Sequence, residues 1–104
     1  MIRKASIMKV YSEHYEEYEK RHDELWPEMR TMLKEHGVHN YSIFLDKQTG
    51  MLFAYALIES EDKWEAISQT EICQKWWNYM KDIMKVNSDN SPESISLKEV
   101  FHLE

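Results

Sequence analysis

The sequence predicts an α+β fold of the ferredoxin-like type, with the element order β-α-β-β-α-β. Four segments of strand length are alternating or continuously apolar, which is typical of β-strands. Segments with apolar residues three or four positions apart lie between them and predict helices. This order is typical of a four-stranded antiparallel sheet with its helices on one face. The 104 residues are expected to form one domain, residues 1–104.

The first helix is predicted to break near its middle. It follows a strand over Ile2–Val10 and opens at Ser12 or Glu13. Its apolar face carries Tyr15, Tyr18, His22, Leu25, Met29, Met32 and His36. Pro27 interrupts this pattern, because proline lacks a backbone donor and forces the preceding residue, Trp26, away from helical angles. We expect Pro27 to lie in the first turn of a second helical piece.

A β-hairpin is predicted after this helix. Gly37 is expected to end the helix, because glycine readily adopts the left-handed conformation found there. The strands Val38–Asp46 and Met51–Ile58 flank the segment Lys47–Gly50, whose glycine supports a tight turn. The two strands should therefore pair with each other.

The second half of the chain is predicted to hold two more helices and the last strand. Ser60 is expected to cap the first of these helices. The second begins at Thr70 or Glu71 and runs to Ile83. A polar loop then leads to the final strand, over Ser94–Leu103.

Charge and cysteine usage exclude several classes of protein. The formal net charge is −6 and no basic stripe is present, which disfavours nucleic acid and anionic membranes as partners. The N-terminal residues alternate and lack the apolar run of a signal peptide or membrane span, so a cytoplasmic location is expected. Cys73 is the only cysteine and cannot form an internal disulfide.

The strand Met51–Ile58 is apolar at every position. An antiparallel strand with one solvated face should alternate instead. Helices can cover only one face of the sheet, so the other face requires a second cover. We therefore expect a homodimer in which two sheets pack into a barrel-like sandwich.

His22 is the strongest candidate for chemistry among the five histidines. No histidine pair has zinc-binding spacing, so no metal site is expected. His22 lies on the apolar helix face, one turn after Tyr18 and one turn before Trp26. One interpretation is a buried neutral histidine with a single hydrogen bond. The other is an acid–base group, since imidazole exchanges protons near neutral pH.

Three further aromatic residues are candidates for binding a ligand. Trp76 and Trp77 are adjacent on a helix and point about 100° apart, so only one can face the core. The other either covers the domain edge or offers a flat face to a sugar ring. Tyr41 lies on the second strand, where simple alternation places it on one face with His39, Ile43 and Leu45.

The chain resembles the L-rhamnose mutarotase family over essentially its whole length. The segments that carry this resemblance are Met1–Ala5, Tyr18-x-x-Arg21-His22, Trp26-Pro27-Glu28, His39-Asn40-Tyr41, Leu45-Asp46-Lys47, Cys73–Met80 and Asp89–Pro92. The resemblance implies a dimeric α/β barrel, no cofactor, and interconversion of the anomers of L-rhamnose in rhamnose catabolism. It also implies that His22 is the proton donor and that Tyr18, Tyr41, Trp76 and Trp77 contact the sugar.

The chemistry implied by this resemblance needs only proton transfer. On this hypothesis, His22 protonates the ring oxygen of the pyranose while a tyrosine or a water takes the anomeric proton. Two other functions stay open. The same barrel also hosts monooxygenases with an aromatic cleft, and a dimer of this kind can bind a small molecule without catalysis.

Overall fold

The computed structural model describes residues 1–104 and contains the predicted four-stranded antiparallel sheet. The strands lie in the order β2-β3-β1-β4. In chain order the elements are β1 (Ile2–Lys9), α1 (Tyr15–Asp23), α2 (Pro27–Glu35), β2 (Val38–Asp46), β3 (Met51–Ile58), α3 (Glu61–Ala66), α4 (Glu71–Met80) and β4 (Ile95–Leu97). The α+β, ferredoxin-like prediction is therefore confirmed.

The break in the first helix lies where the proline predicts it. The helix α1 ends at Asp23, and Pro27 is the first residue of α2. Trp26 has the extended angles φ −56° and ψ 132°, which relieve the clash between a helical residue and a following proline ring. The break leaves Trp26 in the short connection between α1 and α2.

Glycines permit both predicted changes of direction. Gly37 follows α2 with φ +74°, and Gly50 closes the β2–β3 turn with φ +79°. A side chain at Gly50 would also lie 2.6 Å from the carbonyl oxygen of Val10. The β2 and β3 strands keep the predicted bounds.

The capping predictions are confirmed, but the last helix ends earlier than expected. Ser60 and Thr70 accept hydrogen bonds from the backbone N–H groups of Lys63 and Cys73. The helix α4 ends at Met80 instead of Ile83. The carbonyl of Ile83 accepts a hydrogen bond from the backbone N–H of Tyr11, so Ile83 bonds to the segment that follows β1.

The last strand is also shorter than predicted. β4 comprises Ile95–Leu97 and pairs with Ala5–Ile7 of β1, whereas the expectation was Ser94–Leu103. Residues 98–104 have no regular structure and are exposed. Their alternating pattern suits a strand, but they find no ladder partner within the chain.

The hydrophobic core lies between the helices and one face of the sheet. On β3 the side chains of Leu52, Ala54, Ala56 and Ile58 are buried against the helices. Met51 and Phe53, on the opposite face, are about two-fifths exposed (41% and 40%). We call this opposite side the open face of the sheet. None of the helices is long and apolar enough to cross a membrane.

Candidate active site

An aromatic cluster joins α1 to α4 around His22. The imidazole stacks on the ring of Tyr18 with 4.4 Å between centroids, because the two residues lie one helical turn apart. The edge of Trp76 meets the imidazole at 5.4 Å and 90°. The sequence placed His22 on the inner face of its helix, and this placement is confirmed.

The two ring nitrogens of His22 have different surroundings. Nδ1 lies 3.0 Å from the carbonyl oxygen of Tyr18. Since a carbonyl only accepts, Nδ1 carries the hydrogen in the neutral ring, and the lone pair is on Nε2. Nε2 has no hydrogen-bond partner within the chain. Every polar side-chain atom that is fully enclosed has a partner, so the unpaired Nε2 must be accessible to solvent. Burial lowers the pKa of His22, against the opposing effect of the Tyr18 carbonyl.

Tyr41 reaches the same region from the sheet. The register of β2 shifts between His39 and Ser42, and this irregularity reverses the alternation. Tyr41 contacts Trp64 with 6.3 Å between ring centroids, on the helix side of the sheet. The expectation that Tyr41 shares a face with His39 is wrong, because the extra residue places His39 beside Glu59 at 3.0 Å instead.

The hydroxyl groups of Tyr18 and Tyr41 are held in their protonated state. Tyr18 is buried, and desolvation raises its pKa, with a further contribution from Tyr41. The ring of Tyr41 is partly exposed, but its hydroxyl end is desolvated beside Cys73, which raises the pKa of Tyr41 to about 12. Burial also raises the pKa of the Cys73 thiol to about 11. Neither hydroxyl has a hydrogen-bond partner within the chain, and the hydroxyl of Tyr18 is not fully enclosed.

The two adjacent tryptophans have different positions. Trp76 is buried (7% exposed) and forms part of the His22 cluster. Trp77 is half-buried and packs against the edge of the core. The structure therefore brings together His22, Tyr18 and Trp76, and it leaves Trp77 outside their ring contacts.

Three further aromatic residues complete the cluster, and sequence reasoning did not select them as site residues. Trp26 meets Trp76 edge-on at 5.0 Å and lies beside Tyr79 at 5.3 Å. Trp64 covers Tyr41. Helical spacing offered a signal for two of them, since Trp26 follows His22 by four residues and Tyr79 follows Trp76 by three. No local pattern indicates Trp64.

Arg21 connects the two helices that carry the cluster. Its guanidinium bonds Glu17 of α1 at 2.7 Å and Asp82, beyond the end of α4, at 3.0 Å. It also donates to the carbonyl of Tyr79 at 2.7 Å and lies 4.2 Å from the centre of the Tyr79 ring. The Arg21 side chain is only 11% exposed. These contacts fix α1 against the C-terminal end of α4.

An open groove of about 530 Å³ adjoins the cluster. Its aromatic wall is formed by Trp26 and Tyr79, and its rim is polar, with Glu71, Gln74, Lys75 and Asn78. A second depression, of about 320 Å³, lies between the end of β1 and the β2–β3 turn. The lining of neither depression includes His22, Tyr18 or Trp76, but the first one adjoins their cluster through Trp26 and Tyr79.

Comparison with known proteins gives one consistent family. The family model described as L-rhamnose mutarotase matches residues 3–103. An L-rhamnose mutarotase of Shouchella clausii is 61% identical over 103 residues, covering 99% of each chain. The solved structure of L-rhamnose mutarotase from Formosa agariphila superposes with a TM-score of 0.93 at 45% identity over both full chains.

A more distant match concerns the fold alone. A protein of Nitrosomonas europaea, named as an antibiotic biosynthesis monooxygenase, has a TM-score of 0.65 at 11% identity. The match covers 95% of this chain and 89% of the other. The ferredoxin-like architecture is thus shared with proteins of unlike sequence.

Proposed function

The chain belongs to the L-rhamnose mutarotase family and interconverts the α and β anomers of L-rhamnose; on this premise we propose that His22 moves the proton on which the reaction depends. Opening the pyranose transfers one proton to the ring oxygen and removes one from the anomeric hydroxyl. The aldehyde then recloses on its other face. We assign the enzyme to the isomerases of the aldose 1-epimerase type, because only the configuration at the anomeric carbon changes.

The observation that carries this proposal is the unequal environment of the two His22 nitrogens. Nδ1 is occupied by the Tyr18 carbonyl at 3.0 Å, and the accessible Nε2 is free to meet the sugar. The lowered pKa keeps the ring neutral at pH 7, with its lone pair on Nε2. We propose that Nε2 takes the proton from the anomeric hydroxyl and then donates it to the ring oxygen. Both oxygens are attached to the same carbon, so one nitrogen can serve both.

The pKa values of the two tyrosines support the assignment of both proton transfers to His22. Their raised pKa values leave no tyrosinate near neutral pH, which favours His22 over a tyrosine as the acceptor of the anomeric proton. Tyr18 and Tyr41 instead act as hydrogen-bond donors to sugar oxygens. Trp76 supplies an apolar wall for the side of the 6-deoxy sugar that bears the methyl group. Trp77 is proposed as a further contact at the rim of the site.

Replacement of His22 tests the proposal. We expect His22→Ala to reduce the enzyme-catalysed exchange between rhamnose anomers by about 100-fold or more, since positioned acid–base groups are typically worth about 10²–10⁴-fold. Saturation-transfer NMR on L-rhamnose measures this exchange directly. His36→Ala is the matched control, because His36 also bonds a helix carbonyl through Nδ1 but lies at the end of α2.

The same experiment separates the alternatives. A monooxygenase would consume oxygen with a quinol and leave the anomers to exchange at their spontaneous rate. A binding module would broaden the rhamnose signals without transferring magnetisation between them. Unchanged catalysed exchange in the folded His22→Ala variant would disprove the proposed role of His22.

We also propose that the enzyme is a homodimer formed through the open face of the sheet. All four strands contribute apolar side chains to this face, which are Ala5, Ile7, Phe44, Met51, Phe53, Ile95 and Leu97. Polar residues share the face, among them Arg3, Lys9 and Asp46. Phe44 and Ile95 are each 65% exposed in the single chain. Contiguous exposed apolar surface of this kind marks a protein interface. A second copy packed on the open face would form the barrel that the sequence predicts.

The proposed location is the cytoplasm. The only cysteine is a buried free thiol, which is compatible with a reducing compartment. Fractionation of cells that produce the protein should recover the mutarotase activity with the cytoplasmic fraction. Recovery with a membrane or extracellular fraction would contradict this location.

A further inference from the structure

We propose that Asn40 is a positioning residue for the mutarotase reaction, because its left-handed backbone forms the bulge that directs Tyr41 into the site. This inference rests on the proposed function, in which Tyr41 contacts the sugar. Asn40 itself is exposed, and its side chain makes no hydrogen bond within the chain. Its contribution therefore depends on the backbone conformation at this position.

The bulge is visible in the pairing of β2 with β3. His39 pairs with Leu57, and Ser42 pairs with Tyr55. The chain advances three residues on β2 and two on β3 between these pairs, so β2 contains one extra residue. Because side chains alternate along a strand, one extra residue exchanges the two faces for everything that follows.

The reversal separates two side chains that a regular strand would place together. His39 lies beside Glu59, with 3.0 Å between Nε2 and Oε2. Tyr41 lies on the helix side, against Trp64 and near the hydroxyl of Tyr18. In a regular ladder Tyr41 and His39 would share one face, and Tyr41 could not reach the cluster while His39 kept its partner.

The backbone at Asn40 restricts the residue types that this position can hold without strain. Its φ is +49°, in the left-handed region. Asparagine, aspartate and glycine adopt this region at little cost, whereas a β-branched residue there is strained. Valine at position 40 should therefore favour a regular strand, in which Tyr41 no longer points into the site.

Variants at position 40 test the proposal. We expect Asn40→Val to raise the KM for L-rhamnose about tenfold, because a β-branched residue disfavours the left-handed conformation that forms the bulge. We expect kcat to stay within about twofold, because His22 is untouched. Asn40→Gly should retain the KM of the original protein. Saturation-transfer NMR at several rhamnose concentrations gives both constants, and the nuclear Overhauser effect between the rings of Tyr41 and Trp64 reports the position of Tyr41. If Asn40→Val does not fold, Asn40→Ala takes its place.

Three results would overturn the proposal in distinguishable ways. If Tyr41→Phe raises KM but Asn40→Val does not, Asn40 does not position Tyr41, and the contact role of Tyr41 stands. If Tyr41→Phe leaves KM unchanged, the contact role fails, and the role of Asn40 fails with it. If His39→Gln raises KM as much as Asn40→Val, the bulge acts through the His39–Glu59 pair instead.

Discussion

At the scale of the residue, the site depends on what surrounds one imidazole. A histidine in water titrates near pH 6.5 and is a mixture of both forms close to neutrality. In this protein, desolvation by the stacked aromatic rings lowers that pKa, and the hydrogen bond to the Tyr18 carbonyl only partly compensates. The enzyme therefore holds His22 as a neutral ring whose one free lone pair is on Nε2.

The first prediction concerns pH. If the neutral ring accepts the anomeric proton, the catalysed exchange should be constant above the lowered pKa of His22 and fall as the pH drops through it. The sign follows because protonation occupies the lone pair on Nε2. NMR titration of the His22 ring and the pH profile of anomer exchange should give the same midpoint, below 6.5. A catalysed rate that instead rises on acidification would assign the reaction to the imidazolium form.

At the scale of the element, the site lies between two helices that must keep a fixed separation. Tyr18 and His22 lie on α1, whereas Trp76 lies on α4. Arg21, adjacent to His22, is fixed to both helices through Glu17, Asp82 and the Tyr79 carbonyl. Because the guanidinium is planar and carries five donors, one side chain can hold both helices in one orientation.

The second prediction concerns this connection. We expect Arg21→Ala to lower the free energy of unfolding by about 1–2 kcal/mol, since charged hydrogen bonds are lost but Asp82 is 64% exposed and screened. Urea denaturation measures the change. Arg30→Ala is the control, because Arg30 is exposed on α2 and makes no ion pair. Equal stability of the two variants would show that the Arg21 contacts contribute nothing measurable.

At the scale of the whole molecule, the single chain covers only one side of its sheet. The helices bury alternate residues of β3, and the residues between them form the open face. The residues after β4 add further exposed apolar side chains, at Val100, Phe101 and Leu103. An isolated chain would expose all of this surface to water, which the hydrophobic effect disfavours.

The third prediction concerns assembly. Phe44 and Phe53 are paired across β2 and β3 on the open face. We expect Phe44→Glu and Phe53→Glu each to shift the protein from dimer toward monomer, because a carboxylate would be buried without a partner. Sedimentation velocity at micromolar concentration distinguishes the two states. Thr31→Glu, an equal charge change on an exposed position of α2, should leave the dimer intact. If the unsubstituted protein sediments as a monomer, the proposed dimer interface is wrong.

The sequence by itself determined the order of the elements and the position of the catalytic candidate. Local rules are sufficient there, because a proline keeps the residue before it out of the helical conformation and apolar spacing fixes the inner face of a helix. The break at Pro27, the turn at Gly50 and the inward placement of His22 follow from these rules.

Only the tertiary structure decided which aromatic side chains meet. Trp76 and Trp77 are equivalent by local rules, and packing against α1 selects Trp76. Alternation along β2 would place Tyr41 and His39 on the same face. The bulge at Asn40, which depends on pairing with β3, places them on opposite faces instead. The length of β4 likewise depends on β1, because only three residues of the C-terminal segment pair with that strand. The physical reason is that these contacts join residues far apart in the chain, so no local pattern records them.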